Sequence, residues 1–138
     1  MDIRIERHPN PPATPDWDKL VFGKHYSPHM FLLNWRDGAW QDPRIVPYGP
    51  FEMSPAAKVL HYAQEIFEGM KAYKKADGSV HMFRPDMNVA RFNRSAERMC
   101  MPTVDIGQFM KALEMLCALD ADFVPPHPGS LYIRPTMI

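Results

Sequence analysis

Two Asp-Gly dipeptides, Asp37-Gly38 and Asp77-Gly78, each stand between runs with strand character. Aspartate followed by glycine supplies the positive φ of a turn, so each pair folds one strand back onto the next. Met30-Phe31-Leu32-Leu33-Asn34-Trp35 leads into the first turn and Ala39-Trp40 leaves it. Phe67 to Lys74 leads into the second, and Val80-His81-Met82-Phe83 returns from it. Antiparallel pairing is therefore written into the chain twice.

Helical patterns separate and follow these hairpins. Ser54-Pro55 offers a capping hydroxyl with proline at the first helical position, and Val59, Leu60 and Ala63 supply an apolar face, which predicts a short helix to about Gln64. After Arg84-Pro85, the residues Val89, Phe92, Ala96, Met99 and Cys100 step by three and four. Asp105 is placed to cap a further helix with Ile106, Phe109, Leu113, Leu116 and Cys117 as its buried stripe. A proline-rich loop from Pro125 to Gly129 then leads to a last strand, Ser130-Leu131-Tyr132-Ile133-Arg134-Pro135. Hairpins interleaved with helices predict an α+β domain with a mixed, largely antiparallel sheet and packed helices, not a doubly wound parallel sheet.

The chain has 138 residues, the size of one ordinary domain, able to bury about two-thirds of its unfolded surface. Residues 1–20 hold Pro9, Pro11, Pro12 and Pro15, which withhold backbone donors and favour extended conformations, so they read as an N-terminal arm expected to lie on a neighbour. Residues 21–138 form the domain, expected to be truncated at its C-terminal end because Ile138 falls inside a strand-like stretch. Sixteen basic residues balance sixteen acidic ones, which argues against nucleic acid and anionic membranes as partners. No apolar run approaches the ~20 residues that span a bilayer, and the charged start is no signal peptide, so a cytoplasmic location is expected. Cys100 and Cys117 lack metal spacing and are expected as buried, reduced thiols.

Three arrangements could carry chemistry. Arg91, Arg94 and Arg98 fall within about 60° of one another on a helix, which suits either a solvated basic stripe or an anion site. Phe67-Glu68-Gly69-Met70-Lys71 places a glycine inside a strand, the mark of a bulge or of a close approach to the backbone. Lys71 has no evident desolvation or cationic neighbour to lower its pKa, which argues against an imine-forming role. Tyr132 and Arg134 share one face of the last strand, where arginine could clamp a carboxylate or serve as a surface charge. There is no Ser-His-Asp order, phosphate loop or metal-ligand cluster.

The runs Leu60-His61-Tyr62, Phe67-Glu68-Gly69-Met70-Lys71-Ala72-Tyr73, Phe83-Arg84-Pro85, Asn88, Arg91, Arg94-Ser95-Ala96 and Ser130 to Pro135, with Val21-Phe22-Gly23 before them, closely resemble the amino-terminal part of branched-chain amino-acid aminotransferases. These are pyridoxal 5'-phosphate enzymes of fold type IV, and the likeness extends over nearly everything from Trp17 to Ile138. The resemblance implies a small, substrate-side domain of a homodimeric enzyme. The implied reaction moves an amino group between leucine, isoleucine or valine and 2-oxoglutarate, with glutamate as the acidic partner. It implies that Arg91 binds the cofactor phosphate, that Phe22, Tyr62, Phe67 and Tyr132 line the pocket for a branched side chain, with Tyr62 acting across the dimer, and that Arg134 receives the side-chain carboxylate of glutamate.

The same resemblance implies that the Schiff-base lysine belongs to a second, larger domain. Lys19, Lys24, Lys58, Lys71, Lys74, Lys75 and Lys111 all stand at positions that do not match it. The chain by itself is therefore expected to be inactive. A self-standing, non-catalytic ligand-binding or dimerisation module is the alternative.

Overall fold

The computed structural model describes residues 2–138. Strand β1 (Arg4–Ile5) is followed by a single 3-10 turn at Trp17–Lys19, then by β2 (His29–Arg36) and β3 (Ala39–Pro47). The β2–β3 connection is the turn read from the sequence, with φ of 51° at Asp37 and 74° at Gly38. Trp35 faces Trp40 across it, with ring centroids 5.1 Å apart in an edge-to-face contact. β1 adds to β3 in parallel, giving a sheet of order β1-β3-β2. The start of the proline-rich arm thus lies on this chain's own sheet, with Ile3 buried beside Ile45.

The short helix α1 runs Lys58–Tyr62, three residues later than Ser54-Pro55 suggested. Ser54 instead closes a turn, its hydroxyl accepting from Ala56 N and its carbonyl from Ala57 N. A helix this short buries none of its residues, so the expected apolar face of Val59, Leu60 and Ala63 does not form part of the core.

The stretch read as one strand from Phe67 to Lys74 divides into β4 (Ile66–Phe67) and β5 (Met70–Lys74). β5 pairs with β6 (Val80–Met82) around the Gly78 turn and, on its other edge, with β7 (Leu131–Ile133). β4 pairs with β8 (Thr136–Met137), which follows β7 after Arg134-Pro135. The break falls at Glu68-Gly69, and the halves on either side of it belong to different sheets.

Helices α2 (Pro85–Arg98) and α3 (Ile106–Leu119) pack on each other. α2 starts at Pro85, where a fixed φ and a missing donor cost nothing in the first turn. Asp105 caps α3, its carboxylate accepting from Gln108 N at 2.8 Å. Val89, Phe92 and Ala96 from α2 and Leu113 from α3 form the main core with Ile66, Met70, Val104 and Met137. Ala112, one position before Leu113, faces instead Ile3 and Ile45, so α3 joins two cores. The α+β architecture with mostly antiparallel pairing is as expected; among the described residues only β1–β3 is parallel. Cys117 is buried as read, but Cys100 is exposed, because the helical ladder ends at Met99 and Cys100 turns outward with φ of 54°. Ile106, likewise assigned to the buried stripe, stands exposed in the first turn of α3.

Candidate functional site

The Glu68-Gly69 break is the hub of the chemically loaded residues. Glu68 N–H still donates to Pro135 O at 2.9 Å, holding β4 beside β8. Its carboxylate turns inward, with the side chain only 4% exposed. One oxygen accepts from Gly69 N at 2.7 Å and from Arg91 Nη2; the other accepts from Arg91 Nε at 2.6 Å. Asn88, three positions before Arg91 and so on the same face of α2, donates to Gly69 O at 3.2 Å. The Glu68-Gly69 peptide is thereby gripped at both ends by one helix face. Hydrogen bonds from Arg91 hold the Glu68 carboxyl below its ordinary pKa against the opposing effect of burial, and the same pairing raises that of Arg91.

Gly69 is required here by space. A Cβ at this position would overlap the Tyr132 hydroxyl and come within 2.9 Å of Tyr132 Cζ. The glycine therefore marks the close approach of a side chain to the backbone. Tyr132 lies on β7, which pairs Lys71 with Tyr132 across the ladder. Its hydroxyl accepts from Arg134 Nε at 3.1 Å and Nη2 at 2.9 Å. The Arg134 guanidinium is also stacked over Phe67, its carbon 4.4 Å from the ring centroid, and 5.1 Å from that of Tyr132. Phe22 meets Tyr132 edge-on at 5.3 Å.

Four of the residues named from the sequence, Phe22, Phe67, Tyr132 and Arg134, thus come together as an aromatic wall around one cation. Tyr62 does not join them; it is 81% exposed, and its ring neighbour among the described residues is His61 at 6.3 Å. Arg91 sits apart from the wall, across Glu68. It lines an open concavity of about 350 Å³ together with Phe83, Arg84, Met87, Asn88 and Arg94. The arginine stripe is thereby divided, because Arg98 lies a turn further along α2 and outside this lining. Lys71 is exposed. Glu68 was legible only as a neighbour of Gly69; its partner lies 23 residues away, and no local spacing pairs them.

One arginine set in an aromatic wall and another beside an arginine-lined hollow present groups whose chemistry suits ligands that are part apolar and part anionic. No family model matches the chain. It is 45% identical over 138 residues to branched-chain-amino-acid aminotransferase 2 of Bacillus subtilis, with 99% of this chain and 38% of that protein covered. It is 50% identical over 120 residues to a probable branched-chain-amino-acid aminotransferase of Streptomyces coelicolor, covering 85% of this chain and 33% of the relative. A mitochondrial branched-chain-amino-acid aminotransferase of Saccharomyces cerevisiae is 45% identical over 139 residues, with coverages of 99% and 35%. The chain belongs to the branched-chain-amino-acid aminotransferase family, and it spans about a third of the length of the curated relatives it matches.

Proposed function

We propose that this chain is the small, substrate-side domain of a fold type IV, pyridoxal-phosphate-dependent transaminase that exchanges an amino group between leucine, isoleucine or valine and 2-oxoglutarate. The observation that carries the proposal is Arg134 held against Phe67 and Tyr132. One pocket has to accept an apolar side chain in one half-reaction and a carboxylate in the other. With leucine, the cation stays stacked on Phe67 and the aromatic faces of Phe67, Tyr132 and Phe22 take the branched carbons. With glutamate, the N–H groups of Arg134 that Tyr132 does not use bind the side-chain carboxylate.

The residues present fit the cofactor's phosphate. Glu68 occupies the Nε–Nη2 edge of Arg91 and leaves its end edge, with both Nη1 donors, on a side chain 60% exposed to the arginine-lined hollow. Arg91 would hold the phosphate, with Arg84 and Arg94 adding positive potential. When bound, pyridoxal phosphate supplies the carbonyl that accepts and returns the amino group and the ring that withdraws electrons from the substrate. The lysine that anchors it is expected in a further domain.

Homodimerisation is part of the proposal, with Tyr62 completing the pocket of a second copy. Phe22, Tyr62 and Phe83 are each more than three-quarters exposed, apolar surface that favours being covered. Among the described residues no helix is long and apolar enough to cross a membrane. The free thiols Cys100 and Cys117 favour a reducing, cytoplasmic compartment.

The test is R134Q in the transaminase that joins this chain to the lysine-bearing domain, with each half-reaction followed in a single turnover. Loss of the guanidinium leaves the acidic partner's carboxylate desolvated, about 2–4 kcal/mol, so the glutamate half-reaction is expected to fall 30-fold or more while leucine is spared. Equal losses would place Arg134 in the fold or on the α-carboxylate common to both. The 138-residue chain alone is expected to give no phosphopyridoxyl adduct at a single lysine after borohydride reduction.

A further inference from the structure

We propose that Glu68 is a positioning residue that serves both halves of the site: its buried carboxylate locks one edge of Arg91 so that the other edge meets the phosphate, and through Gly69 N–H it seats the backbone against which Tyr132 and Arg134 are set. The inference rests on Arg91 being the phosphate ligand, as proposed above. Three observations support it.

First, Glu68 is one of two buried carboxylates among the described residues, the other being Asp120, and a carboxylate is buried only where donors meet it. Glu68 has three donors on its two oxygens, two from Arg91 and one from Gly69 N. Second, a guanidinium bound side-on through Nε and Nη2 has lost its freedom to rotate, and its remaining fork points in one direction. An arginine oriented before a ligand arrives does not have to be ordered when it binds. Third, Gly69 is the residue the Tyr132 hydroxyl approaches, and that hydroxyl is the acceptor of both Arg134 bonds. A continuous run of contacts therefore joins Arg91 to Arg134 through Glu68, Gly69 and Tyr132.

A carboxylate beside a phosphate ligand could instead act by charge alone. It would then neutralise Arg91 and weaken anion binding, and its removal would tighten it. Positioning and neutralisation predict opposite signs.

The probe is pyridoxine 5'-phosphate, which carries the phosphate but no aldehyde, titrated by calorimetry into the full chain and its variants, with pyridoxine as the phosphate-free control. R91A is expected to weaken the phosphate ester about tenfold or more, and E68Q about tenfold. E68Q/R91A is expected to bind no more weakly than R91A alone, because Glu68 acts through Arg91. Pyridoxine itself is expected to bind all variants alike. Unchanged binding in R91A would overturn the reading of Arg91 itself. A weakened R91A together with an E68Q that binds as well as or better than wild type would overturn the positioning role alone. So would additive losses, or equal loss of pyridoxine, which would mark Glu68 as merely structural. Should circular dichroism show E68Q unfolded, R91K carries the test. Lysine keeps the charge but has no second edge, so it is expected to bind as poorly as R91A, and a R91K that retains affinity would overturn the inference.

Discussion

The pair His29 and Asp120 should respond to substitution in a way that depends on one proton's position. Asp120 is 2% exposed at the end of α3, and its carboxylate accepts from His29 N at 3.0 Å and lies 2.6 Å from His29 Nδ1. His29 Nε2 in turn accepts from His8 N at 2.8 Å, which leaves the ring proton on Nδ1, donated to Asp120. D120A removes both acceptors and leaves two buried donors orphaned, each costing about 1–3 kcal/mol, so a total loss of about 2–6 kcal/mol is expected. D120N keeps the shape, and its carbonyl can still accept from His29 N. Its amide, however, then faces Nδ1–H donor to donor, and moving the proton to Nε2 would set it against His8 N–H. One donor is stranded either way, at about 1–3 kcal/mol. Urea denaturation of wild type, D120N and D120A measures both losses. The midpoint should fall in that order with an unchanged slope. A D120N within about 0.5 kcal/mol of wild type, the range of ordinary surface substitutions, would refute the tautomer argument.

Three further outcomes follow from the same geometry. G69A should cost about 1–3 kcal/mol through overlap with Tyr132, and should cost clearly less in a Y132A background; equal costs in both backgrounds, by denaturation, would show that the hydroxyl is not what the missing Cβ avoids. The lowered pKa of Glu68 contributes stability that is complete above its ordinary value of 4.5 and is lost as pH falls through the folded-state value, so the stability gap between wild type and E68Q should be widest near neutrality and close in acid. In a thiol-labelling time course Cys100 should react promptly, whereas Cys117, buried and with its thiol pushed up to about 11 chiefly by that burial, should react only on unfolding.

The hairpin at Asp37-Gly38 and the cap at Asp105 were legible in the sequence because their causes are local. A positive-φ turn and a first-turn acceptor are decided within about four residues, whatever the rest of the chain does. The α2 stripe of Val89, Phe92 and Ala96 was legible for the same reason, since helical spacing alone sets which residues share a face. The grouping of Phe67, Tyr132 and Arg134 was readable only in part. Residues 132 and 134 alternate on one strand, but the Phe67 ring reaches Arg134 because β4 and β7–β8 return to the same break in the sheet. What tertiary structure alone decided was pairing over distance. Arg91, Arg94 and Arg98 look alike as a helical stripe, and Arg91 is singled out by a carboxylate 23 positions earlier that the strand break turns inward. Ser54-Pro55 carried a helix-start signal that a turn absorbed, because the short segment after it found no core to pack on. Local rules set where the chain turns and which faces are apolar. Which buried charge meets which cation depends on how the small sheets and helices α2 and α3 close around one another.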